Sequence, residues 1–158
     1  MVTPDHPEVF MTDNIVSMVE GTYGMLDREW FQQFKKTYPP VGYRRDMKTI
    51  RILLPRRSGI STAAKQLWDA HPNSLLYFPK HVECARFISE FKLDKNDDRI
   101  RAIPQTIHDL VSLDGRLPHA KLHRDLVIFD GVSRMKHSLV DEMCGFHDPF
   151  TKLFVLLG

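Results

Sequence analysis

Cysteine is scarce: Cys84 and Cys144 are the only two among 158 residues. Two thiols cannot frame a disulfide-stapled mini-domain, and their small number fits reduced thiols in a cytosolic setting. Long apolar runs are missing too, since no stretch approaches the roughly 20 residues that a membrane-spanning helix needs. The opening Met1 to Glu8 carries acids and prolines where a signal peptide would place basic residues before an apolar core. The expectation is a soluble, cytoplasmic protein with no membrane attachment. Neither sign of charge is in excess, because 22 Lys and Arg stand against 20 Asp and Glu, giving a formal charge of +2. That balance gives no global pull towards nucleic acid or an anionic surface, so any such binding must come from a local patch.

What is present is a globular composition, 42% hydrophobic and 27% charged, with enough apolar side chain for one core at this length. From Asp13 to Tyr38 the spacing of Leu26, Trp30 and Phe34 predicts a helix that Pro39-Pro40 stops. A loop with Gly42 and Arg44-Arg45 follows. Beyond it the pattern alternates. Thr49 to Leu54 reads as a buried strand ending at Pro55, and Ile60, Ala63, Ala64 and Leu67 share one helical face. Ser74 to Phe78 is a second strand, followed by a helix with the stripe Cys84, Phe87, Ile88 and Phe91. Arg99 to Ile103 predicts a half-exposed strand, Ile107 to Leu113 a short helix, and Asp114 to Pro118 a connection. Asp125 to Asp130 is the most strand-like run, then a helix carries Leu139, Val140, Met143 and Cys144, and Lys152 to Leu157 forms a last strand. Strands alternating with helices predict a three-layer α/β fold with a mainly parallel sheet, because right-handed crossovers place each helix on a sheet face. The expected division is an N-terminal helical extension, 1–45, and an α/β domain, 46–158, that breaks off directly after an apolar strand as a fragment would.

Chemistry concentrates in the loop between the first predicted strand and the helix after it, Leu54-Pro55-Arg56-Arg57-Ser58-Gly59-Ile60-Ser61-Thr62. A loop there can aim backbone N–H groups and the positive end of a helix dipole at an anion. Gly59 permits close approach, Ser61 offers a hydroxyl, and Arg56 or Arg57 offers charge. Asp130 ends a later apolar strand, where its carboxylate could hold magnesium, directly or through water, together with the Ser61 hydroxyl.

On these residues the segment from Ile50 to Gly158 resembles the P-loop NTPases, and among them the ATPase domain of viral large terminases, the motors that package DNA. Pro55 to Thr62 resembles a Walker A loop and Leu126 to Asp130 a Walker B strand. The resemblance implies ATP and Mg2+ as ligands. It implies phosphate contacts from Arg56, Arg57, Ser58, Gly59, Ser61 and Thr62, and magnesium addressed by Ser61 and Asp130. It also implies DNA or viral packaging proteins as partners, in the cytoplasm of a host cell. Two departures stand out: Ile60 occupies the place of the phosphate-loop lysine, and Gly131 the place of the glutamate after the Walker B aspartate. The expected function is thus a degenerate nucleotide-binding domain with hydrolysis impaired or absent, and no residue is assigned a catalytic role. The alternative is a non-enzymatic interaction module on the same scaffold. A third reading is an active ATPase that draws its positive charge from Arg56 or Arg57, with Asp141 or Glu142 as the only acids on the following helix.

Plainer roles stand beside these. Arg56-Arg57 also reads as a solvated pair, Asp130 as a helix cap, and Ser61 and Thr62 as first-turn residues satisfying orphan amides. His137, Asp141, Cys144 and His147 have spacings that would share a helix face, but no second ligand pair accompanies them, so a buried thiol with ordinary histidines is expected over zinc. Trp30, Phe31 and Phe34 are expected in a core rather than stacked on bases. Arg44, Arg45, Lys48 and Arg51 could form a basic edge.

Overall fold

Strands β2 (Ser74–Phe78), β4 (Leu126–Asp130) and β5 (Leu153–Leu157) are buried along their whole length. Their side chains point alternately into two apolar clusters. Leu76, Phe78, Leu126, Ile128, Leu153 and Val155 enter one; Leu75, Tyr77, Val127, Phe129, Phe154 and Leu156 enter the other. Strands sealed on both faces need no polar alternation, which is why these segments read as continuous apolar runs. Each such large side chain contributes about 1.5–3 kcal/mol by leaving water.

The computed structural model describes residues 7–55, 59–116 and 122–158. The sheet has five strands, all parallel, in the order β1-β5-β4-β2-β3, with β1 (Thr49–Ile52) and β3 (Ile100–Ala102) at its edges. Helices α4 (Ile60–Ala70) and α5 (His81–Glu90) cover the face of the first cluster, which contains Ala63, Leu67, Cys84 and Phe87. Helices α6 (Ile107–Arg116) and α7 (His137–His147) cover the opposite face through Leu110, Leu139 and Met143. The expected α/β class and the helix-on-both-faces arrangement are therefore present. Among the described residues no helix is long and apolar enough to cross a membrane.

The N-terminal helices differ from the expectation of one continuous element. Helix α1 (Pro7–Met25) ends before Leu26, and α2 (Glu29–Thr37) starts after Arg28. Gln32 Nε2 donates to the Leu26 carbonyl at 2.9 Å, a side chain satisfying a group that a continuing helix would have bonded with backbone. The break lets Leu26 and Phe31 reach the same core cluster. Only Phe31 of the aromatic trio is buried; Trp30 stays 57% exposed and Phe34 is also exposed, against the expectation of core packing. The stretch read as a loop with Gly42 is helix α3 (Pro40–Met47), and Pro40 stands at its start, where a missing N–H costs nothing. A β-carbon at Gly42 would sit 2.9 Å from the Tyr38 ring, so a larger residue there needs that ring to shift. Helix α1 lies along α4, burying Ile15 and Val19.

On the second face, Tyr77 shares a 2.9 Å hydrogen bond with the buried His147 Nε2 and stacks on Phe129 at 5.2 Å between ring centroids. Burial, reinforced by nearby His123, pushes the His147 imidazole down to about 4. Its folded value lies below its unfolded one, so its contribution to stability is complete above about pH 6.5 and is lost as pH falls towards 4. That loss amounts to roughly 3 kcal/mol. Thermal melts between pH 7 and pH 4 should show this decline in the wild type and a shallower one in His147→Gln.

Candidate functional site

The register brings three strand ends level: Ile52 of β1 stands beside Leu157 of β5, and Leu157 beside Asp130 of β4. Backbone bonds continue past the strands and stitch this edge together. Leu54 N–H donates to the Gly158 carbonyl at 2.8 Å, Gly158 N–H to Ile52 at 3.0 Å, and Gly131 N–H to Leu157 at 2.8 Å. Carboxyl ends of parallel strands are where open α/β sheets bind ligands. Here the chain leaves β2 for one face and β4 for the other, which opens a crevice between them.

That crevice is a polar cleft of about 620 Å³. Gly59, Ile60, Ser61 and Thr62 line one side, Asp130, Gly131, Ser133 and Arg134 another, and Glu83 and Arg86 of α5 a third. Gly59 adopts a left-handed conformation, φ 81°, directly before α4, a backbone state that favours glycine. Its carbonyl accepts the first helical bond from Ala63 N–H at 2.9 Å and a second bond from Thr12 Oγ1 of α1 at 3.0 Å. The N-terminal helix thus anchors the turn from which α4 starts at the wall of the cleft.

The Ser61 hydroxyl donates to Asp130 Oδ2 at 2.9 Å. Two residues 69 positions apart, singled out together on sequence grounds, therefore meet. Asp130 is only 6% exposed. Burial raises its carboxyl above the ordinary value, and the Ser61 hydrogen bond offsets part of that rise. Ser61 and Thr62 themselves are exposed and stand in the first turn of α4. Arg56, Arg57 and Ser58, expected beside them, lie outside the described residues. Asp141 does not enter the cleft; it lies against α3, accepting from Arg45 Nη2 at 2.9 Å and Arg44 Nη2 at 3.3 Å. Those arginines hold the Asp141 carboxyl below the ordinary range, chiefly through the Arg45 hydrogen bond. The spacing of His137, Asp141, Cys144 and His147 does not gather them: Asp141 turns to α3, His147 to Tyr77, and among the described residues no cluster of three metal-ligating side chains forms.

Glu83, Arg86 and Arg134 were not signalled by the sequence. Glu83 Oε1 accepts a hydrogen bond from Arg134 Nη1, while Oε2 is buried with no hydrogen-bond partner among the described residues. Glu83 stands in the first turn of α5, right after the apolar β2. Only the spatial pairing of β2 with β4 brings it near Asp130, and periodicity carries no trace of that. Gly131 is a structural position as well, with φ 89°. A β-carbon there would lie 2.6 Å from Arg134 Nη2 and 3.0 Å from the Pro79 ring. The arginine can swing aside, but the proline and the backbone angle cannot.

A larger cavity of about 860 Å³ lies at the β3 edge, floored by Cys84, Ile88, Ile100 and Leu110. It is more apolar, and its buried reactive groups are held protonated: burial pushes the Cys84 thiol up to about 11 and raises the Tyr77 phenol. Convergent polar groups, the usual mark of a site that acts on charge, belong to the smaller cleft.

Two outcomes follow. Ionised Asp130 is disfavoured by burial, so Asp130→Asn should raise Tm at pH 7, by roughly 2–4 °C for each kcal/mol gained, in a calorimetric melt. Gly131→Ala should lower Tm by several degrees, since a left-handed non-glycine residue costs about 1–2 kcal/mol. No family model matches the chain, and neither the curated proteins nor the solved structures provide a significant match.

Proposed function

We propose that the chain is a degenerate P-loop nucleotide-binding domain of viral-terminase type, with hydrolysis impaired. The observation that carries this reading is the 2.9 Å bond from Ser61 to Asp130. It links the first turn of the helix after the opening strand to the carboxylate that closes the later buried strand. A triphosphate would lie against the amides of Gly59 to Thr62, where helix-end N–H groups and the dipole favour negative charge. The donor set suits magnesium, because a carboxylate and a hydroxyl are hard oxygen ligands and phosphate oxygens supply others. The burial that disfavours the Asp130 anion is offset when a divalent cation stands beside it. Asp130 and Ser61 would hold that ion, whose chemistry is neutralisation of phosphate charge.

The impairment has a physical basis in both departures. Ile60, half-buried, packs against the first core cluster rather than offering an ammonium to phosphate. Gly131 has neither the side chain nor the backbone conformation for a carboxylate. By resemblance the partners are DNA or viral packaging proteins, and the setting the cytoplasm of a host cell.

A second reading, a non-enzymatic interaction module on this scaffold, is favoured by the apolar cavity at the β3 edge, which is larger than the polar cleft. Titration of a fluorescent ATP analogue separates the two. With magnesium, the nucleotide reading expects saturation below millimolar concentration and a loss of at least tenfold in Ser61→Ala and Asp130→Asn, about 1.4 kcal/mol. The module reading expects no saturation with or without magnesium.

A further inference from the structure

We propose that the apolar cavity at the β3 edge is a binding site for a single-chain carboxylate, its acyl chain lying on the cavity floor and its anionic head beside Lys92 and Lys95. This site is separate from the polar cleft and does not depend on the nucleotide reading.

Size and lining set the ligand class. A volume of about 860 Å³ falls within the roughly 300–1,000 Å³ typical of small-molecule pockets. The sheet ends at β3, and α5 and α6 flank that edge, so Cys84, Ile88, Ile100 and Leu110 form an apolar floor that no further strand covers among the described residues. Neither reactive group there is ready for chemistry: burial pushes the Cys84 thiol up to about 11, and the Tyr77 hydroxyl is engaged with His147. The cavity therefore holds a ligand rather than transforming one.

Charge at the rim selects an anion. Lys92, Lys95 and Arg101 line the cavity against a single acid, Asp109. The loop 92–98 is acidic by count, with three aspartates and two lysines, yet its charges are sorted in space. Asp94 accepts from Asn96 N–H at 2.9 Å, Asp97 from Arg99 N–H at 2.9 Å, and Asp98 from Arg124 Nη2 at 3.3 Å, and none of the three lines the cavity. Both lysines do, and among the described residues neither enters an ion pair. Lys92 also stands against backbone preference. Its φ is 54°, and it is the only described residue other than glycine with a positive φ. Lys92 N–H donates to the Ser89 carbonyl at 3.3 Å and Leu93 N–H to the Ile88 carbonyl at 2.9 Å, the paired bonds of a helix end where glycine is the usual residue. A lysine at that position brings a cation to the cavity at a cost in backbone strain.

A structural role for Lys92 and a binding role make opposite forecasts. Full-length wild type, the double variant Lys92→Gly with Lys95→Gln, and Ala85→Trp would be titrated calorimetrically at pH 8 with octanoate, decanoate and dodecanoate, each below its micellar concentration, and with decanol as the neutral match. Circular dichroism melts check folding. The expected result is saturable wild-type binding that strengthens roughly fourfold per added methylene, with decanoate held at least about fivefold more tightly than decanol. The double variant brings decanoate down to the affinity of decanol while its Tm holds or rises, because glycine relieves the left-handed position. Ala85 is exposed on α5 and lines the cavity, so a tryptophan there fills it and weakens every ligand at least about tenfold. Absence of saturation by decanoate in folded wild type, equal affinity for decanoate and decanol, or a double variant that binds decanoate as the wild type does overturns the proposal. Unchanged binding in a folded Ala85→Trp overturns the location.

Discussion

A buried carboxylate fixes the arrangement of the sheet's carboxyl edge. Asp130 ends an apolar strand at the floor of the cleft, almost wholly buried, and its carboxyl is met there by the hydroxyl of Ser61. For that bond to form, α4 must begin at the height of the β4 end, and several features enforce this. The left-handed turn at Gly59 sets the start of the helix, Thr12 holds the Gly59 carbonyl from α1, and the bonds among Ile52, Leu54, Leu157 and Gly158 level β1 with β5. The N-terminal helices therefore share in building the cleft through α1.

The two faces of the sheet divide the work. The first carries α4 and α5, whose N-terminal turns open into the cleft, so Ser61 and Glu83 arrive from neighbouring helices on one side. The second carries α6 and α7 and is given over to packing, with the buried Tyr77–His147 pair at its centre. The turn from Gly131 to Arg134 crosses between them. It delivers Arg134 to Glu83, and Gly131, a glycine at positive φ, has no side chain to compete for the same space.

Much of this was legible in the sequence because the central strands are covered on both faces. Ser74–Phe78 and Leu126–Asp130 match the apolar runs read for them almost residue by residue, since a strand without a wet face leaves an unbroken hydrophobic signature. The pairing of Ser61 with Asp130 was also readable, through position after one strand and at the end of another. The break between α1 and α2 was not. At that break Gln32 reaches back to the Leu26 carbonyl, a local side-chain bond that helical periodicity does not register. Helix α3 was missed because Pro39-Pro40 reads as a stop, whereas Pro40 also starts the next helix. Glu83 was hidden for a topological reason: its proximity to Asp130 arises from pairing β2 with β4, strands separated in the chain by two helices and the β3 edge strand.

Hydrogen–deuterium exchange with and without a non-hydrolysable ATP analogue and magnesium tests the central claim most directly, because it reads backbone amides at the cleft itself. The account predicts slowed exchange confined to Gly59–Thr62 and the turn after Asp130, with the amides lining the apolar cavity at β3 unchanged. Exchange that is the same in both conditions at those positions, or protection appearing only around β3, would contradict it.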